Sequence, residues 1–299
     1  MKYFYFFMAL THITLISRGA LLSEIGSINM LPVSIEFAYN SIDTNSIEKD
    51  QGIRSSNIVY YNFMTKEYSF RSLLDKKYNL PWNILKANFF KNCYKVLRIS
   101  CENGEIIHSS AVISNDPITF KNPGIIGAWI SPINNKTYLD ILKMSPVGKI
   151  NISNDNNTIF VRFNKIYELR FDKTSMLLKE MLLYNEEIGG NLNLCNKITY
   201  ESYKNINGYN IPLNIFSVFY DSKGKILSST KYYISANSVK FNIQHTDILD
   251  FPNGTYVTDM ILNKSYTITE PYNSISKEER IKLYLENYIE NADNMRNAN

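Results

Sequence analysis

A chain of 299 residues, 44% hydrophobic and 20% charged, has enough apolar material for a large domain and too much to be disordered. Its 32 basic and 28 acidic side chains leave a formal charge of +4. They lie scattered, without the dense Lys/Arg block of a polyanion-binding surface, so no nucleic-acid partner is implied. The excess of Asn, Ile, Lys and Tyr follows AT-rich codons and reflects base composition more than chemistry.

The N-terminus reads as a secretory leader. Met1 and Lys2 give a positive start, and Tyr3 to Ile16 form an apolar run too short, and too interrupted by Thr11, His12 and Thr14, for a membrane span. Ser17 and Gly19 then take the small-residue positions before a cut at Ala20. Losing Lys2 and Arg18 lowers the charge from +4 to +2. The alternative is a retained N-terminal anchor. N-terminal sequencing of material from the cell envelope is expected to start at or near Ala20; intact Met1 in a membrane fraction would favour the anchor. Export to the periplasm or envelope follows from the leader, with no integral span after cleavage.

Residues 20–55 read as a mixed N-terminal segment containing Pro32 and a short helix within Ser34 to Tyr39. A strand pattern opens at Ile58 to Phe63, breaks at Thr65-Lys66-Glu67 and resumes at Tyr68 to Arg71. Trp82, Leu85 and Phe89 recur at helical spacing behind Pro81, which predicts a helix over 82–90. Cys93 to Cys101 reads as one strand, joined through Glu102-Asn103-Gly104 to a second over Glu105 to Ile113. In such a strand the two cysteines stand roughly 26 Å apart, beyond disulfide reach. With Cys195 they read as three buried free thiols.

Phe120 to Ile130, punctuated by Pro123, Gly124 and Gly127, reads as a broken segment, and Thr137 to Lys143 as helical turns. A regular series follows: Ile159 to Phe163, Tyr167 to Phe171, Leu177 to Tyr184, Ile198 to Tyr203, Ile211 to Tyr220, Lys231 to Ile234, Val239 to Ile243, then Tyr256 to Met260 and Ser265 to Thr269. Turn chemistry such as Asn207-Gly208 and Asp221-Ser222-Lys223-Gly224 separates several of them. Strands at this spacing without long helices between them predict an antiparallel sheet or barrel. After Pro271 the period changes: Ser276 and Glu279 make a capping box, Ile281, Leu285, Tyr288 and Ile289 share a face, and Glu278 pairs with Lys282. That predicts a C-terminal amphipathic helix, docked on the sheet or offered to a partner.

Tyr167-Glu168-Leu169-Arg170-Phe171-Asp172, the stretch from Ile198 through Tyr209-Asn210-Ile211-Pro212, and the closing Phe251-Pro252-Asn253-Gly254-Thr255-Tyr256-Val257-Thr258-Asp259 carry a resemblance. The chain resembles the outer-membrane lipoprotein carrier (LolA/LolB-like) superfamily, in particular its long secreted bacterial members, over roughly residues 155 to 270. The resemblance implies a mainly β (α+β) fold: a curved antiparallel sheet forming an unclosed half-barrel, with helices on its concave side. It also implies a cavity for lipid or lipoprotein acyl chains. The corresponding domain reading is a leader at 1–19, a segment at 20–55, a half-barrel at 56–270 and a helical tail at 271–299.

Chemical signals are sparse. Glu186 and Glu187 beside Gly189-Gly190 are adjacent carboxylates in a turn, where neighbours point apart rather than across a substrate. His245 near Asp247 and Asp250, and His108 beside Ser109 and Ser110, lack any nucleophile signature. No metal, cofactor or catalytic residue is implied. The sequons at Asn135, Asn151, Asn156, Asn253 and Asn263 match what this composition yields by chance. The leading expectation is a non-enzymatic exported carrier or envelope sensor with an apolar cavity. An envelope protein-interaction module comes second and a hydrolase last. For the carrier, the inward positions are read as Phe160, Leu169 and Phe171, with Trp82 and Trp129 at the lid or rim. The alternation leaves the inward parity open, since a one-residue slip exchanges the faces.

Overall fold

The structure, a computed structural model, describes residues 19–45, 53–74, 83–90, 93–102, 105–115, 150–155, 157–163, 166–186, 191–243, 249 and 251–268. The segments expected at 120–130 and 137–143, the C-terminal helix, Trp82 and Trp129 lie outside them. Among the described residues there is one α-helix, α1 (19–28), and the rest of the regular structure is almost entirely strand. No described helix is long and apolar enough to cross a membrane. The mainly β class therefore holds.

The chain divides into two units, 1–66 with 122–245 and 67–121 with 246–299. In the first, β1 (Ser34–Asn45) and β2 (Ile53–Asn62) form a hairpin. The series β7 (Ile150–Asn154), β8 (Thr158–Phe163), β9 (Tyr167–Asp172), β10 (Leu178–Glu186), β11 (Leu192–Ile206), β12 (Tyr209–Tyr220) and β13 (Ile226–Ile234) runs as a meander. β13 pairs with β1, so the order is β2-β1-β13-β12-β11-β10-β9-β8-β7. Every described pair in it is antiparallel. A 3-10 turn at Ala236–Ser238 leads into the two-residue β14 (Lys240–Phe241), which continues along β1 and is shorter than the strand expected at 239–243.

The turns follow their chemistry. Asn207 (φ 50°) and Gly208 (φ 87°) both adopt positive φ between β11 and β12, the requirement of a two-residue hairpin loop that Asn-Gly meets at least cost. The helix expected within Ser34 to Tyr39 is instead the start of β1. Ile35, Phe37 and Tyr39 alternate onto one buried face there, and pairing on both edges fixes the strand. Helix α1 is tied to this unit by the residue that follows it. The Asn29 side-chain amide donates to Met176 O at 2.7 Å and its Oδ1 accepts from Leu178 N at 3.2 Å, while Ile25 is fully buried.

The second unit has the order β16-β15-β6-β5-β4-β3, with β3 (Tyr68–Leu74), β4 (Ile84–Phe90), β5 (Cys93–Glu102), β6 (Glu105–Ser114), β15 (Tyr256–Asp259) and β16 (Lys264–Thr267). The expected helix over 82–90 is overturned: residues 84–90 are strand β4. Spacing at Trp82, Leu85 and Phe89 mimicked a helical stripe, but cross-strand aromatic packing decides the state. Phe89 faces both Tyr68 and Tyr94, stacking on Tyr94 at 4.2 Å between ring centroids. Cys93 and Cys101 do lie near the two ends of one strand, and β5 pairs with β6.

The all-antiparallel expectation fails at one place. β15 runs parallel to β6, with Val257 opposite Ala111. That register places Val257 with Ala111, Ile113, Leu97, Ile99, Phe251 and Ile268 in one core cluster.

Candidate functional site

Alternation divides the first unit's sheet into two faces of different chemistry. On one face, Ile159 and Val161 of β8 lie opposite Phe171 and Leu169 of β9, and Leu169 lies opposite Met181 of β10. Met181 is opposite Ile198 of β11, which is opposite Ser217 of β12. Ser217 faces Thr230 of β13, and Thr230 faces Asp43 of β1. One transverse row thus passes from Val161 through Leu169, Met181 and Ile198 to Ser217, Thr230 and Asp43. Its first four side chains are buried and apolar, while Ser217, the first polar one, is also buried. At strand spacing the apolar part from Val161 to Ile198 spans about 14 Å.

The polar end has a neighbouring row. The Ser41 and Ser55 hydroxyls lie 2.7 Å apart, and the Asn57 amide donates to Ser55 Oγ at 2.8 Å. Asn196 donates to Ser217 Oγ and to Val218 O, both at 3.1 Å. Tyr39 and Tyr232 pack edge to face with centroids 5.9 Å apart. Burial pushes Asp43 above the ordinary Asp range, opposed by a hydrogen bond with the Thr230 hydroxyl. Burial and then the Asp43 charge push the Tyr232 phenol up to about 12.

The other face carries charge. Glu168 on β9, 4% exposed, is clamped by Arg162 of β8 through both Nε (3.0 Å) and Nη2, and by Arg170 Nε at 2.7 Å. Arg170 also reaches Glu180 at 2.9 Å, and Lys197 reaches the other Glu180 oxygen at 2.5 Å. Five charged groups on four strands form one network. Burial acts to raise the Glu168 pKa, but the hydrogen bonds and charges of Arg170 and Arg162 outweigh it and hold the carboxyl below the usual Glu range. A carboxylate held anionic in this way is a poor proton donor, so the network is unsuited to general acid work.

The expected ligand positions separate. Leu169 and Phe171 lie together on the apolar face, as grouped. Phe160 does not join them. It faces the charged side, half-buried beneath the Arg170 guanidinium at 5.4 Å from its ring centroid. The register Ile159 to Phe171 is the reason, because it assigns Ile159 and Val161, not Phe160, to the apolar parity. Trp82 and Trp129 lie outside the described residues.

The weaker chemical candidates do not converge. His108 is exposed on β6, while its neighbour Ser109 turns to the opposite face and hydrogen-bonds Thr255 Oγ1 at 2.8 Å. Glu186 is exposed at the end of β10, and Glu187, His245, Asp247 and Asp250 lie outside the described residues. The cysteines are partly rather than fully buried. Burial pushes the Cys93 and Cys195 thiols upward in pKa, which disfavours the nucleophilic thiolate. The polar row lacks the apolar alternation that marks the other strands. The alternate spacing of Ser41 with Asp43 and of Ser55 with Asn57 was the available signal.

No family model matches the chain, and no curated protein does. Among solved structures it is similar to a DUF1329 family protein from Desulfovibrio piger, with TM-score 0.41 and 8% identity, covering 78% of this chain and 95% of that one. It is also similar to a putative outer membrane lipoprotein-sorting protein domain from Vibrio parahaemolyticus, with TM-score 0.41 and 11% identity, covering 76% and 93%. A LolA superfamily protein from Nitrosomonas europaea matches with TM-score 0.34 and 10% identity, covering 76% and 94%.

Proposed function

We propose that the chain is an exported, non-enzymatic binding protein that carries an acyl-bearing ligand, a lipid or lipoprotein, on the apolar face of its first unit. The observation behind this reading is the row Val161, Leu169, Met181 and Ile198, flanked by Ile159 and Phe171, on a sheet whose opposite face is charged. These side chains are 0–5% exposed, so an acyl chain reaches them by displacing what covers them; each methylene it removes from water then contributes about 0.8 kcal/mol, and no covalent step is needed. The sequence resemblance to the lipoprotein carriers points the same way.

Two measurements test it. Native mass spectrometry of protein purified from its own host is expected to show a co-purifying lipid. A fluorescent fatty-acyl probe is expected to bind the delipidated protein saturably and to be displaced by unlabelled fatty acid. An empty protein that binds no probe would end the carrier reading. The interaction module would then take its place, with one surface already favouring it: the β12–β13 hairpin exposes Phe219, Ile226 and Leu227 by 47–49% beside Lys223 and Lys225.

A further inference from the structure

The β12–β13 hairpin ends on apolar side chains that its sheet does not cover. Ile215, Ser217 and Val218 of β12 are buried, as are Tyr232 and Ile234 of β13, but burial stops toward the turn. Phe219 and Ile226 there are each 47% exposed, and Leu227 is 49% exposed. A register shift contributes to this. Phe219 pairs with Ser228 and Tyr220 with Ile226, so Leu227 has no opposite residue on β12 and is the extra position of a bulge.

The turn between the strands is closed on itself. Asp221 N donates to Lys225 O at 2.8 Å, and Gly224 N donates to Asp221 O at 3.0 Å. Asp221 Oδ1 accepts from Lys223 N at 2.9 Å and from Lys225 N at 2.8 Å. Gly224, at φ 76°, supplies the left-handed residue that the turn needs. The backbone donors of Asp221, Lys223, Gly224 and Lys225 are thus bonded without water. The Asp221 carboxylate serves as an acceptor inside the turn, while the Lys223 and Lys225 side chains are exposed.

We propose that this hairpin tip docks on the surface of an anionic phospholipid bilayer. Phe219, Ile226 and Leu227 enter the boundary between headgroups and acyl chains, and Lys223 and Lys225 meet the phosphates. Two features select a bilayer over a protein. Apolar side chains grouped with basic ones have the composition of an interfacial anchor. Backbone groups carried toward hydrocarbon must be bonded internally, and this turn meets that condition before any contact is made. A protein groove supplies bonds of its own and makes no such demand. Charge complementarity sets the lipid class: two lysines flank the apolar residues, and Glu186, exposed at the end of β10, lies two strands away. The inference is independent of the carrier reading, since docking requires no bound ligand.

The test is flotation of the purified protein with vesicles of phosphatidylcholine alone and of an equal mixture of phosphatidylcholine and phosphatidylglycerol. Wild type is expected to bind the mixed vesicles about thirtyfold more tightly, the combined effect of two lysines at a charged surface. Lys223→Gln together with Lys225→Gln is expected to cut that preference to about threefold, and salt at about 1 M to do the same for wild type. Phe219→Ser together with Leu227→Ser is expected to weaken binding to mixed vesicles about tenfold while the preference remains. Leu227→Trp reports insertion directly. Mixed vesicles are expected to shift its emission to the blue beyond the change in wild type, whose Trp82 and Trp129 set the background. All four positions are exposed, and circular dichroism confirms that each variant is folded. Wild type that leaves the vesicles unbound, or double variants that both bind as wild type does, would overturn the inference. Loss in the lysine variant with none in the apolar variant would also overturn it, since adsorption by charge alone inserts nothing. Hairpin-dependent self-association without vesicle binding would overturn it in favour of a second copy of the chain.

Discussion

Phe171→Ala is expected to lower the unfolding free energy by about 3–5 kcal/mol, the range for truncating a fully buried aromatic side chain. Phe171 is 0% exposed, and Ile159 and Leu178 flank it across β8 and β10. Removing its ring opens a cavity that strand backbones on both sides cannot close. Phe160→Ala makes the contrast. Its ring is half-buried on the charged face, and its loss removes one cation–π contact with Arg170, so about 1 kcal/mol is expected. Urea unfolding followed by circular dichroism measures both. Equal losses for the two variants would mean that the face assignment is wrong. A small loss for Phe171→Ala alone would mean that the apolar row is not packed.

The same pair shows how far the sequence could be read. Alternation over 159–163 and 167–171 located β8 and β9 and identified residues that pack, because a period of two survives any choice of neighbour. It could not assign parity, because that depends on which residue of β9 stands opposite Ile159. Pairing across the strand is long-range information. The failures have the same root. Trp82 to Phe90 and Ser34 to Tyr39 are short apolar runs, and a run of that length suits a helix or a strand until its neighbours are known. β4 lies between its chain neighbours β3 and β5, and β1 between its neighbour β2 and the distant β13, so both were decided by pairing partners that the run itself does not show. The parallel pairing of β15 with β6 was equally invisible, since it joins residues more than 140 positions apart.

The polar part of the candidate site was harder to see than its apolar part for a chemical reason. Leu169 and Phe171 advertise burial by their side chains alone. Ser41, Asp43, Ser55 and Asn57 look like ordinary surface residues, and only the register that sets Asp43 against Thr230 and Ser41 against Tyr232 places them on a buried face. Small polar residues at alternate positions within a strand pair are the pattern to search for in such sheets.

Glu168→Gln is expected to cost about 2–3 kcal/mol at neutral pH, because it leaves Arg162 and Arg170 facing one another without the carboxylate between them. The loss stays below that of a fully buried pair because the Arg162 and Arg170 side chains are 44% and 31% exposed and can turn to water. The pH dependence is more diagnostic than the size. Burial raises the Glu168 pKa, but the hydrogen bonds and charges of Arg170 and Arg162 bring the net value below its unfolded one. A lowered folded-state value means that the carboxylate's stabilisation is complete above the ordinary Glu range and is lost as the pH falls through the folded value. Wild type should therefore lose stability below about pH 4.5 more steeply than Glu168→Gln, and the two curves should converge in acid. Raising the salt concentration to about 1 M should narrow the gap at neutral pH, since the arginines are open to screening. Urea midpoints measured from pH 3 to pH 7 settle the matter: parallel curves would mean that the carboxylate contributes no pH-dependent stability and that the five-group network is only a geometric coincidence of the charged face.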